Sequence, residues 1–252
     1  MIATWLVATH YRPELLRVAL ASIADQVYPV GWTAEVVVAH HEGDRRGAEV
    51  ARELGFQAVA TSHETGGGKR TAGLKAAAGD LVLVADDDDH QHPDRARKAI
   101  SAFEGGAGIS ELREFRYLHV ESGAVVRWCG RGDAGRPPVT VGTARNYKRS
   151  ILLRVGGWKP KPRLIEKDIH SRIRSRLPGA LGRSKDLGTD LSSGTVCLQH
   201  AENIWGDRPA VPKGKTVERG EFRLVGEGHW SEISDFPEVL AKRLDLSCHT
   251  KR

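Results

Sequence analysis

Asp86-Asp87-Asp88-Asp89 is the densest concentration of potential chemistry in this sequence, with four consecutive carboxylates directly behind the apolar run at residues 81–85. Like charges at the end of a buried strand repel one another, and nothing in folding alone favours placing them there. A bound cation removes that penalty. Hard divalent ions such as Mg²⁺ or Mn²⁺ take oxygen ligands, and one or two carboxylates completed by substrate phosphate oxygens make a suitable shell. If the chain stays extended, alternate side chains share a face, so Asp86 and Asp88 meet one ligand while Asp87 and Asp89 face elsewhere. A solvated acidic loop, or a cap for a helix after Pro93, is the alternative that involves no ligand.

A second cluster is Gly66-Gly67-Gly68-Lys69-Arg70. Successive glycines permit close backbone approach, and two cations at a helix start suit a phosphate-bearing ligand. The spacing is not that of a P-loop, and a glycine-rich turn with surface cations would read the same way. Glu166 and Asp168 open a later helical stretch, where carboxylates also interact favourably with the helix dipole. His40 and His41 read as polar loop residues, because adjacent histidines at a strand end seldom reach one ion.

These residues need a scaffold, and the first 104 residues supply a regular one. Apolar strand-like runs at 3–8, 34–39, 57–61 and 81–85 alternate with helical patterns at 14–26, 45–54 and 71–78. Continuous apolar strands alternating with helices indicate a mostly parallel sheet covered on both faces. In such sheets ligands bind beyond the carboxyl ends of the strands, so the loops at His10, His40 and Asp86 are expected on one edge. From residue 105 the rhythm changes. Strands at 113–120 and 124–129 suggest a hairpin, helices are expected at 150–155 and 166–177, a strand at 195–199, and a final helix at 237–246.

The chain has 252 residues, enough for one sizeable α/β domain. Hydrophobic residues at 40% and charged residues at 28% argue for a globular fold rather than disorder. Its apolar runs fall far short of the ~20 residues of a membrane-spanning helix. The N-terminus carries no basic leader and reads as a buried strand. Three scattered cysteines (Cys129, Cys197, Cys248) fit neither a disulfide framework nor a CxxC zinc site, and a cytoplasmic setting is expected. A net charge of +6 would attract an anionic partner, whether nucleotide phosphates, nucleic acid or a membrane surface, without choosing among them.

In order and spacing, three blocks resemble the inverting family-two glycosyltransferases of the GT-A fold: ATHYRPELLRVALASIADQVYP, TGGGKRTAGLKAAAGDLVLVADDDDHQHPD and RSILLRVGGWKPKPRLIEKDIHSRI. The resemblance runs from about residue 4 to residue 177. The resemblance implies a Rossmann-like, mostly parallel central sheet with helices on both faces and a smaller acceptor-side region. It also implies a single domain with a nucleotide-sugar half at 1–104, an acceptor and catalytic half at 105–205, and an extension at 206–252.

By the same resemblance, Thr9, Tyr11 and Arg12 border the nucleotide base, Lys69 or Arg70 lies near the donor, and Asp86 and Asp87 belong to the donor side. Asp88 is the expected direct ligand of Mn²⁺ or Mg²⁺, with Asp86 beside it and His200 as a further ligand. The catalytic base is expected at Glu166, when the segment is aligned on Arg172, or at Asp168. An Asp-Asp-Gly-Ser sequence after the second strand is replaced by His40-His41-Glu42-Gly43-Asp44, so Glu42 or Asp44 takes the place of the base-contacting acid. A uridine-diphosphate sugar is the favoured donor. The acceptor is a saccharide, a modified DNA or a protein. The rival readings are a nucleotidyltransferase of related fold and a non-catalytic nucleic-acid-binding module.

Overall fold

The computed structural model describes residues 1–111, 114–119, 125–129, 145–161, 165–181, 184–186, 195–199 and 221–224. The first half runs β1 (Ile2–Ala8), α1 (Pro13–Ala24), β2 (Thr33–His41), α2 (Arg45–Glu53), β3 (Gln57–Thr61), α3 (Gly66–Ala76) and β4 (Leu81–Asp86). Next come β5 (Asp89–Gln91), α4 (Arg95–Glu104), β6 (Ile109–Glu111), β7 (Glu114–His119), β8 (Val125–Cys129) and β9 (Arg145–Lys148). The described part ends with α5 (Arg149–Arg154), α6 (Ile165–Arg176), α7 (Pro178–Leu181), β10 (Ser184–Asp186), β11 (Thr195–Gln199) and β12 (Glu221–Leu224).

Seven strands form one sheet in the order β10-β6-β9-β4-β1-β2-β3. β3, β2, β1 and β4 are parallel, and β9 runs antiparallel to both β4 and β6. Alternation along the strands divides the core into two layers. Trp5, Val7, Val36, Val38, Leu83 and Ala85 pack against α1, α2 and α4, while Leu6, Val37, Val82, Val84 and Tyr147 pack against α3, α5 and α6. Both faces are covered, as the continuous apolar strands predict.

A second sheet of five strands has the order β12-β8-β7-β11-β5. β7 and β8 pair as the expected antiparallel hairpin, and β11 lies antiparallel to β5 with Cys197 opposite Asp89. β4, the central strand of the first sheet, ends at Asp86, and β5, an edge strand of the second, begins at Asp89. The aspartates therefore sit where the chain passes from one sheet to the other.

One boundary differs in a way that matters for chemistry. The helix expected at 71–78 begins at Gly66, capped by the Thr65 hydroxyl, which accepts from Gly68 N at 3.3 Å. The glycine run is thus the first turn of α3 rather than a loop before it. It is glycine because of packing: a Cβ on Gly67 would lie 2.1 Å from the Lys159 carbonyl oxygen, and one on Gly68 would lie 2.5 Å from the His63 side chain. The helix expected at 237–246 lies outside the described residues.

Candidate active site

Strand alternation explains how the acidic run divides. Val82 and Val84 face α3 and α6, and Asp86 continues that face, ion-pairing with Arg70. The extended run stops at Asp86, and Asp87 and Asp88 form a turn. Asp87 is buried on the side of the β1–α1 loop. Its Oδ2 accepts from the Thr9 hydroxyl at 2.8 Å, from His10 N at 3.3 Å and from Arg12 Nε at 3.2 Å. Burial pushes the Asp87 carboxyl up to about 6, against the pull of Arg12. This carboxylate holds the loop that carries the other donor-side candidates.

The turn also changes which aspartates share a ligand. Asp86, Asp88 and Asp89 each present an oxygen within 4.8 Å of the others. Asp89, expected to face away, joins the group because the turn at Asp87-Asp88 breaks the two-residue alternation. Three hard oxygen donors at such spacing suit a divalent cation. Arg12 also reaches the group, with Nη1 2.8 Å from Asp88 Oδ2. Its guanidinium is partly desolvated, which disfavours charge, yet the carboxylates of Asp87 and Asp88 raise its pKa further. Pro13 starts α1, and Arg12, its N-cap residue, sits just outside the helix at φ −125° and ψ 60°.

α3 places its two cations inward. Lys69 is 1% exposed, and its Nζ lies 2.9 Å from the Thr9 carbonyl oxygen and 2.7 Å from His10 Nδ1. Burial lowers its pKa, opposed by Asp87, Glu64 and Asp44. Arg70, 4% exposed, spans two elements. Nη2 bonds Asp86 at the tip of β4, and Nη1 bonds Glu166 Oε1 at 2.6 Å in the first turn of α6. One guanidinium thereby joins the aspartate cluster to the candidate base.

Glu166 and Asp168 have different surroundings. The Oε2 of Glu166 accepts from the Tyr147 hydroxyl at 3.2 Å and lies 3.6 Å from Arg145 Nη1. Asp168 binds Lys161 at 2.7 Å and Arg172 Nε at 2.8 Å, and hydrogen bonds from those two cations hold its carboxyl below the usual range. Arg172 also donates to the carbonyls of Val155 and Gly157, so the pair fastens α6 to the turn before it. Arg145 and Tyr147, two apart on β9, and His170, one turn after Glu166 on α6, carry no motif in the sequence, and only the packing of β9 against α6 brings them together.

At the β2 end, Tyr11 takes φ 57°, its N–H donates to Asp44 at 2.7 Å, and its hydroxyl meets His41 Nδ1 at 3.0 Å. Asp44 also caps α2 by accepting from Gly47 N at 3.0 Å, leaving both its oxygens engaged. Glu42 is exposed. A Cβ on Gly43 would lie 2.7 Å from the Tyr11 hydroxyl, so glycine leaves room for that side chain. His40 is buried and bonds the His41 carbonyl at 2.8 Å. Thr9, Tyr11, Arg12, Lys69, Arg70, the aspartates and Glu166 thus converge on the carboxyl edge of the sheet. His200 lies outside the described residues.

Residues 4–110 match the family described as Glycosyl transferase family 2. In fold, the chain is similar to TarS 1-349 from S. aureus in complex with UDP-GlcNAc, with TM-score 0.62 at 15% identity, over 81% of this chain and 60% of that one. It is also similar to glucosyl-3-phosphoglycerate synthase from Mycobacterium tuberculosis in complex with Mn²⁺, UDP and phosphoglyceric acid, with TM-score 0.54 at 15% identity, over 75% of this chain and 69% of that one. A third is the mannosyltransferase PcManGT from Pyrobaculum calidifontis in complex with GDP-Man and Mn²⁺, with TM-score 0.52 at 20% identity, over 79% of this chain and 56% of that one. The chain thus spans about 60% of the TarS chain it matches. No curated protein matches it.

Proposed function

We propose that this chain, a GT-A protein whose residues 4–110 belong to glycosyl transferase family 2, transfers a sugar from a nucleotide-diphosphate donor with inversion at the anomeric carbon. One observation carries the reading: three carboxylates able to share a cation stand at a strand end, tied through Arg70 to a carboxylate on α6. Asp86, Asp88 and Asp89 would hold Mn²⁺ or Mg²⁺. Bound there, the ion would neutralise charge that develops on the departing nucleotide diphosphate. Two similar structures hold Mn²⁺, which supports that choice of ion.

The chain's own residues supply the rest. Asp87 and Lys69 fix the β1–α1 loop, so that Tyr11 and Arg12 border the donor. Glu166 takes the proton of the acceptor hydroxyl as it attacks, in the role of general base. Its place beside Arg70, which also bonds Asp86, favours it over Asp168, whose partner Arg172 ties it to the turn before α6 instead. A uridine nucleotide is the favoured donor, and the UDP-GlcNAc and UDP complexes of two similar structures support it. The acceptor is a saccharide, a modified DNA or a protein.

The test is chromatographic analysis of nucleotide products from a panel of sugar nucleotides, with Mn²⁺ or with EDTA. The parent protein should release nucleoside diphosphate from one donor only when metal is present. Asp86→Ala and Asp88→Ala should lose roughly 10²-fold or more of that rate. Folded variants that match the parent would refute the metal role. Pyrophosphate released from a nucleoside triphosphate would instead indicate a nucleotidyltransferase.

A further inference from the structure

Behind Glu166 lies a buried polar arrangement that donor and metal binding do not use. Tyr147 is 0% exposed and pairs across the sheet with Val82 on β4 and Ile109 on β6. A hydroxyl in such surroundings is costly unless it is bonded. Its oxygen lies 3.2 Å from Glu166 Oε2 and 3.1 Å from His170 Nε2. We infer that Tyr147 and His170 are positioning residues for Glu166, joined to it by a two-bond relay running from the imidazole through the phenol to the carboxylate. This rests on the reading of Glu166 as the base.

The direction of the relay follows from proton counting. Glu166, paired with Arg70 at 2.6 Å, is a carboxylate and can only accept. The single Tyr147 proton therefore goes to Glu166, leaving the phenol oxygen to accept from His170, which must carry its hydrogen on Nε2. Burial, Arg145 and Arg174 press the His170 pKa down to about 3, so the ring stays neutral. Burial also keeps the phenol protonated, with its pKa raised well above the ordinary value.

The other groups facing Glu166 complete the clamp. Arg70 comes from α3, and Arg145 comes from β9, where it sits opposite Glu111 of β6 and bonds it at 3.4 Å. Both carboxylate oxygens are thereby fixed: Oε1 by Arg70, and Oε2 by Tyr147 and Arg145. The Tyr147 ring is held edge-on by Trp158 and His170, each with centroids 6.0 Å away. Phenylalanine would keep those contacts and remove only the hydroxyl.

Tyr147→Phe should lower kcat about tenfold with donor KM unchanged. Loss of a hydrogen bond to the charged form raises the base's pKa, so the acid limb of the kcat/KM profile should move to higher pH. His170→Gln, which retains an N–H donor, should keep more kcat than His170→Leu. Unchanged sugar-nucleotide binding by calorimetry would show that Tyr147→Phe is folded. A Tyr147→Phe protein with parental kcat and an unmoved acid limb would overturn the inference, provided Glu166→Gln is inactive. If Glu166→Gln is itself active, the base assignment falls and the relay falls with it.

Discussion

His170 shows what a single buried titratable group does to the molecule. In the unfolded chain it protonates near 6.5, whereas in the fold it resists protonation to about 3 because of burial, Arg145 and Arg174. Its native pKa is depressed and its neutral form is the one packed. This contribution to stability is therefore complete above pH 6.5, and it is lost as pH falls from there toward 3, because the unfolded state takes up the proton first. The unfolding free energy should decline over that window, with a slope of up to ~1.4 kcal/mol per pH unit from this group, as denaturant titrations at a series of pH values would show. His170→Gln should flatten the decline, and an unchanged slope in that variant would contradict the assignment. At this scale the sequence was informative wherever residue type and local spacing coincide, as in the aspartate run, the Lys69-Arg70 pair and Glu166. It was silent on Tyr147, His170 and Arg145, whose meeting around one carboxylate depends on β9 packing against α6.

α3 is the element on which the arrangement turns. It presents Lys69 to the β1–α1 loop and Arg70 to both β4 and α6, and its glycines let it lie directly against the Lys159 carbonyl. Gly67→Ala would drive a methyl into backbone oxygen at 2.1 Å, which cannot yield as a side chain would. We expect a loss of about 1–3 kcal/mol from overpacking. Donor turnover should fall as well, since the helix must shift to relieve the clash. Denaturant titration alongside an activity assay checks both. If stability and turnover are unaltered, the close approach is not as described. The repeating strand and helix periods of residues 1–86 were legible because every element there is long enough to show a period. β5, β6 and β10 have three residues each, too few for any pattern, and pairing alone defines them. The glycine run was misplaced for a related reason: glycine lowers helix propensity, and only the neighbour that demands it reveals why it is there.

For the molecule as a whole, ligand binding and folding share one equilibrium. A cation and a sugar nucleotide that bind only the native fold add about 2.7 kcal/mol at a hundred times Kd, and for a chain of this size each kcal/mol moves the midpoint by roughly 2–4 °C. Mn²⁺ with the correct donor should thus raise the melting temperature by several degrees, and by more than either alone. No shift with any donor of a broad panel would contradict the proposed function. The GT-A arrangement was legible in the order of three blocks. The acceptor was not, because the described elements after residue 105 carry no motif that recurs with a particular chemistry. Among the described residues no helix is long and apolar enough to cross a membrane. The shared guanidinium of Arg70 has a final consequence. Because one cation balances Asp86 and Glu166 together, the two carboxylates form a single thermodynamic system. Any change of charge at the strand tip is felt by Glu166 on α6, and by reciprocity a change at Glu166 is felt at the strand tip with equal strength.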